Sequence, residues 1–150
     1  MRPFCEGCQR ALSVCYCPLV RPFESGPLVV VLRHPRERRS RSRVNTGWLT
    51  HRVVSNSVLL EGLDFEREAR VQAWLSDPSL APVLVFPSGD GAPGGDESAA
   101  VPAGRRPLLF LPDGTWTCVR HMLLRNPQLA RLPRLSLRAG PSRYTFRRQP

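Results

Sequence analysis

The chain's 150 residues carry a formal net charge of +10, with 41% hydrophobic side chains and all 22 basic residues arginine. That length supports one domain with a real core and a small appendage, and no apolar run approaches the ~20 residues of a membrane-spanning helix. Residues 1–10 lack a signal-type apolar stretch and no basic amphipathic anchor stands out, so the expectation is a cytoplasmic protein whose partner is a polyanion, RNA or DNA.

The chain opens with Cys5, Cys8, Cys15 and Cys17, four thiols in the spacing Cys-x2-Cys-x6-Cys-x-Cys. Four thiolates complete the tetrahedral shell of a structural zinc ion, and the gap around Gly7 lets both sulfurs of the first pair reach one metal. Disulfides are the competing reading, disfavoured by a reducing compartment and very short loops. With no ligand position open, the metal is expected to fold a knob, residues 1–22, that burial alone cannot hold. Cys118, the fifth cysteine, falls in a helical pattern and reads as a small buried apolar residue.

Pro27 to Leu32 is a continuous apolar run rich in valine, the pattern of a strand buried on both faces in a parallel sheet. Its carboxyl end delivers Arg33, His34 and Pro35, and six arginines fall between positions 33 and 43. Beside a strand end such a cluster suggests phosphate contact, with a solvated face as the plain alternative. His34 by itself reads more readily as a structural histidine than as a catalytic one. Asn45 or Thr46 caps a predicted helix that runs to Val54. Ser57 to Leu60 is a short strand. Phe65 to Leu75 repeats apolar residues at helical spacing with acidic residues early, and Pro78 stops it. Pro82 to Phe86 is another buried strand. Residues 88–106 are rich in Gly, Asp, Ala and Pro and are expected to be a flexible loop without chemistry.

Leu108 to Leu111 is the next strand-length apolar run, and it turns at Pro112 into Asp113-Gly114-Thr115-Trp116. Asp113 stands at an N-cap position for a helix whose core face is Trp116, Val119, Met122, Leu123 and Leu124, ending before Pro127. A strand's carboxyl end meeting a helix N-terminus is where α/β sheets bind ligands. Simple capping by Asp113 and core filling by Trp116 are the alternatives. The strand–helix alternation gives an α/β fold.

The motifs occur in one order: the four cysteines, His34-Pro35-x-Glu37 leading to Asn45-Thr46-Gly47, Leu84-x-Phe86-Pro87, Asp113-Gly114-Thr115-Trp116 with Met122, Leu132-Pro133-Arg134-x-x-Leu137, and Ser142-x-Tyr144-x-x-Arg147-x-x-Pro150. In that order the chain resembles the DTW-domain family, the tRNA-uridine aminocarboxypropyltransferases, over nearly all of its length outside residues 88–106. The resemblance implies a SPOUT-like, mainly parallel sheet with flanking helices, knotted near the C-terminus, over residues 23–150. Val119 departs from a family position that is often alanine. The family usually continues past the Arg-x-x-Pro element with a Ser/Thr-x-Glu-Ala segment and a last helix, so the sequence is expected to stop short of the family domain's C-terminal end.

The activity so implied is transfer of the 3-amino-3-carboxypropyl group of S-adenosylmethionine to N3 of an unpaired uridine in tRNA, releasing methylthioadenosine. The donor carries the hard chemistry and the protein orients it. N3 is a poor nucleophile while protonated, so Asp113 is the candidate base, with a cap or a cofactor hydrogen bond as its other roles. By analogy with SPOUT enzymes, Phe86, Pro87, Leu111, Asp113, Thr115, Trp116, Leu132 and Arg134 line the donor pocket, and Trp116 is a candidate to stack on the target base. His34, Arg36, Asn45, Thr46 and Arg147 are candidates for RNA or for the transferred carboxylate. A non-enzymatic zinc-bearing RNA-binding module and a SPOUT-type RNA methyltransferase are the rival functions.

Overall fold

The computed structural model describes residues 3–8, 10–36, 46–87 and 101–136. After two short 3-10 turns, Leu12–Val14 and Cys17–Leu19, the elements run β1 (Leu28–Arg33), α1 (Thr46–Val53), β2 (Ser57–Glu61), α2 (Ala69–Ser76), β3 (Leu80–Val85), β4 (Arg106–Asp113), α3 (Trp116–Arg125), α4 (Pro127–Ala130) and β5 (Arg134–Leu135). The strands form one sheet in the order β2-β1-β4-β3-β5. Every pair in it is parallel. All carboxyl ends therefore share one edge, which collects Arg33, Glu61, Val85, Asp113 and Leu135.

Strand β1 has the burial its sequence calls for, with every residue after Leu28 buried. Val30 and Leu32 of β1, Leu84 of β3 and Leu108 and Phe110 of β4 share one face, where Val119, Met122 and Leu123 of α3 and Leu129 of α4 cover them. Each such side chain removed from water contributes roughly 1.5–3 kcal/mol. The opposite face is covered by α1, whose Gly47 lies against Val31. Central strand β4 carries Pro107 and Pro112, which cannot donate to a ladder. Each sits one residue in from an end, so the register from Leu108 to Leu111 is kept. Phe65, expected inside a helix, instead precedes α2 as a buried core residue. Leu124, expected on the core face, is 78% exposed.

Asn126 is a fully buried polar residue between α3 and α4. Its Oδ1 accepts from the Phe65 amide at 2.6 Å, and its Nδ2 donates to the carbonyls of Leu63 and Met122 at 2.9 and 2.6 Å. It thus ties the segment after β2 to the end of α3. The expected knot and the motif from Leu137 onward lie outside the described residues, as does the 88–106 loop up to residue 100; Arg106 belongs to β4. Among the described residues no helix is long and apolar enough to cross a membrane.

Candidate functional site

The four N-terminal sulfurs lie within 4.8 Å of one another. Cys5 Sγ is 3.8 Å from Cys17 Sγ, and Cys8 Sγ is 3.7 Å from Cys15 Sγ. A tetrahedral ion with metal–sulfur bonds of ~2.3 Å sets sulfur–sulfur edges of about 3.8 Å, whereas a disulfide needs ~2.05 Å. The cage already has the dimensions of a four-thiolate metal site, and the thiols are free. The backbone amide of Cys8 pulls the Cys5 thiol down to about 6. Burial pushes Cys17 up to about 12. A metal that takes all four as thiolates must displace whatever protons they hold.

Helix α1 fastens this knob to the sheet. Trp48 Nε1 donates to the Gly7 carbonyl at 2.9 Å. The Trp48 ring also faces the Arg33 guanidinium, whose Cζ is 5.7 Å from the ring centroid. Arg33 donates from Nε and Nη2 to Glu61 Oε2 at 3.1 and 2.6 Å. It is buried, ion-paired and stacked, so it does not belong to the phosphate-binding run the sequence suggested.

Two expectations about the central corner are corrected. The strand does not turn at Pro112; β4 continues through it to Asp113, in register with Arg33. Asp113 is therefore a strand terminus and not a helix cap. The cap is Thr115, whose backbone is extended and whose hydroxyl accepts from the Cys118 amide at 3.4 Å. The Asp113 carbonyl accepts from the His34 amide at 2.9 Å. Gly47, in the first turn of α1, lies directly on the Asp113 side chain: an added Cβ would sit 2.7 Å from Cγ of Asp113 and 3.0 Å from Cγ1 of Val31. Only glycine permits that approach. Helix N-termini favour negative charge, and those of α1 and α3 both open beside this carboxylate.

On the β3 side of the corner, the rings of Phe86 and Trp116 meet edge to face with centroids 5.7 Å apart. Arg134 Cζ lies 5.5 Å from the Phe86 centroid, and Arg134 Nη1 donates to the Pro87 carbonyl at 3.2 Å. Arg134 is buried, and its Nε has no acceptor among the described residues. Trp116 is 64% exposed, so core filling is not its role. Leu132 packs against the core, and Leu111 and Thr115 flank the end of β4. On the β1 side His34 is buried, and its Nδ1 accepts from the Arg36 amide at 3.1 Å, while Arg36 and Thr46 are exposed. Asn45 and Arg147 lie outside the described residues.

The structure thus brings Phe86, Pro87, Trp116 and Arg134 together at the carboxyl edge of the sheet, where β4 ends at Asp113, and ties His34 to the main chain of Asp113. Sequence reasoning missed Gly47, Trp48 and Glu61, whose parts in the corner are contacts between distant segments. For Gly47 a signal existed, since a glycine in the first turn of a helix needs a reason.

The DTW domain profile matches residues 2–150. The chain is 32% identical over 152 residues to tRNA-uridine aminocarboxypropyltransferase 2 of Drosophila melanogaster, an alignment covering 97% of this chain and 59% of that protein. The chain therefore spans little more than half the length of this relative. No solved structure is significantly similar to it.

Proposed function

The chain belongs to the DTW-domain family, and from that premise we propose that it is a tRNA-uridine aminocarboxypropyltransferase, moving the 3-amino-3-carboxypropyl group of S-adenosylmethionine to N3 of an unpaired uridine. The observation that carries the reading is the carboxylate of Asp113. It ends the central strand of a parallel sheet, on the edge where such folds bind ligands, with an aromatic and arginine cluster on one flank and basic residues on the other. The Drosophila relative's name supports the reaction.

Bound at that edge, S-adenosylmethionine supplies a carbon chain activated by its sulfonium, with methylthioadenosine as the leaving group. Phe86, Pro87, Leu111, Thr115, Trp116, Leu132 and Arg134 hold the donor. Arg134 Nε suits that task because it is a buried donor with no acceptor among the described residues, the kind of group a ligand satisfies. Asp113 accepts the N3 proton of the uridine, so that the nitrogen lone pair forms the new N–C bond as the C–S bond breaks. Exposed Trp116 offers a ring face to a splayed base. His34, Arg36, Asn45, Thr46 and Arg147 bind the RNA or the transferred carboxylate. Residues 1–22 form a knob in which Cys5, Cys8, Cys15 and Cys17 hold a structural zinc, and residues 23–150 form the catalytic domain. A substrate of this kind makes the cytoplasm its setting.

The test is incubation with carbon-labelled S-adenosylmethionine and bulk tRNA, followed by nucleoside mass analysis. The expected product is 3-amino-3-carboxypropyluridine together with methylthioadenosine. Asp113→Asn should fold normally and lose on the order of 10²-fold or more in rate, the usual weight of a general base. Full activity in that variant would remove the base. A methyl adduct would make the chain a methyltransferase, and tRNA binding without donor binding would make it an RNA-binding module.

A further inference from the structure

On the β1 side of Asp113 the surface opens into a cleft of about 450 Å³, walled by His34, Arg36, Leu63, His121, Leu124 and Arg125. We propose that this cleft seats a backbone phosphate of the RNA strand; the proposal rests on RNA being the substrate.

Charge is the first argument. Among the described residues two arginines and two histidines line the cleft, and none that lines it is acidic. Neither Arg36 nor Arg125 has a carboxylate partner among the described residues, whereas Arg33, Arg70 and Arg106 each do. An arginine fork pairs with two phosphate oxygens at once, and imidazole N–H groups add further donors.

Arrangement is the second. Thr117, His121 and Arg125 recur every four residues, so α3 turns one polar stripe to the cleft while Val119, Met122 and Leu123 take the core face. Leu63 and the 78%-exposed Leu124 add apolar surface beside that stripe, suited to a sugar or the edge of a base. The volume is that of a small-ligand pocket and too small for a duplex, in keeping with single-stranded RNA whose bases are splayed apart.

Position is the third. His34 donates its amide to the Asp113 carbonyl at 2.9 Å. A Cβ at Gly114 would lie 3.2 Å from Cβ of His34 and 3.3 Å from Cβ of Cys118. The cleft wall therefore starts at the carboxyl edge of the sheet, one residue beyond the end of β4 and on the α3 face, with the Asp113 carboxylate on the α1 face.

The test measures binding of labelled bulk tRNA by anisotropy, without donor, from about 50 to 300 mM salt. Arg36→Gln and Arg125→Gln should each weaken binding about tenfold at ~100 mM salt. Each should also reduce the steepness of log affinity against log salt by about 0.7–0.9, the signature of one lost phosphate contact. Arg106→Gln, at the opposite sheet edge, removes the same charge and should change affinity less than twofold. His121→Glu, on an exposed turn of the stripe, should weaken binding further and provides a second probe of the cleft. Cleft variants that behave like Arg106→Gln overturn the proposal. So do cleft variants that keep tRNA affinity and lose affinity for S-adenosylmethionine by calorimetry. Because no donor is present in the binding assay, failure of the transfer reading leaves this result interpretable. A chain that binds RNA through the cleft but makes no adduct sinks the reaction and not the phosphate site.

Discussion

Gly47→Ala tests the central corner with a single methyl group. In an unconstrained helix the substitution stabilises by up to about 1 kcal/mol, because alanine is the better helix former. Here the new Cβ would lie 2.7 Å from Cγ of Asp113 and 3.0 Å from Cγ1 of Val31, while ordinary contact begins near 3.4 Å. Oδ2 of Asp113 lies closer still, so the carboxyl group or α1 must retreat by at least the 0.7 Å between 2.7 and 3.4 Å. Val31 is 1% exposed, locked within the sheet, and cannot absorb the shift. Overpacking of this size costs about 1–3 kcal/mol, partly offset by the helix propensity. The melting temperature should therefore fall by only a few degrees, at about 2–4 °C per kcal/mol for a chain of this size. Activity should fall much further, since a misplacement of ~1 Å costs on the order of 10²-fold. At least a tenfold loss in kcat is expected, with tRNA affinity unchanged, measured by product nucleoside mass and by calorimetric melting. A variant with wild-type kcat and a lowered melting temperature would refute the idea that this side chain must sit where Gly47 holds it.

Cys8→Ser should release the metal from the N-terminal knob and lower its thermal stability, as a stoichiometric metal assay before and after substitution would report; unchanged metal content would assign the thiols another role. Asn126→Leu should destabilise by roughly 3–5 kcal/mol in denaturant titration, because it strands the Phe65 amide and the Leu63 and Met122 carbonyls in the interior; a loss under 1 kcal/mol would mean that solvent reaches them. Burial, with some help from the Arg52 charge, holds His51 below its ordinary value of 6.5. The unfolded chain therefore takes up this proton first as pH falls. The stability involved is complete above pH ~6.5 and is lost as pH drops through the folded value. His51→Asn should flatten the stability curve below pH 6.5, and parallel curves for the two proteins would contradict the assignment.

Much of the fold was legible because strands and helices announce themselves in local periodicity. The apolar run from Pro27 to Leu32, rich in valine, reads as a doubly covered strand, and β1 is one. The pair Asn45 and Thr46 marked where α1 begins, at Thr46, and Pro127 the end of α3. What failed were judgements that depended on neighbours in space. Pro112 reads locally as a turn, but a proline one residue from a strand's end forfeits little pairing, so β4 runs on to Asp113 and the cap passes to Thr115. Arg33 reads as one of six arginines in a charge run, and nothing local reveals that Glu61 and Trp48 claim it. The cysteine spacing carried its own geometry, which is why that cage was legible in full while the contact of Gly47 with Asp113 was not.

Arg33 also explains why knob and corner are parts of one construction. Removing a guanidinium from water costs several kcal/mol unless its charge and its donors are met. Glu61 meets the charge, and the ring of Trp48 covers the cation. Trp48 is at the same time the residue whose indole N–H reaches the Gly7 carbonyl inside the cysteine cage, and it directly follows the glycine that lies on Asp113. The first turn of α1 therefore touches the knob, the β1–β2 ion pair and the central carboxylate. An eight-residue helix is marginal by itself, so its position depends on these outside contacts more than on its own hydrogen bonds. The cage that aims Gly7 at Trp48 thus helps hold the helix against Asp113.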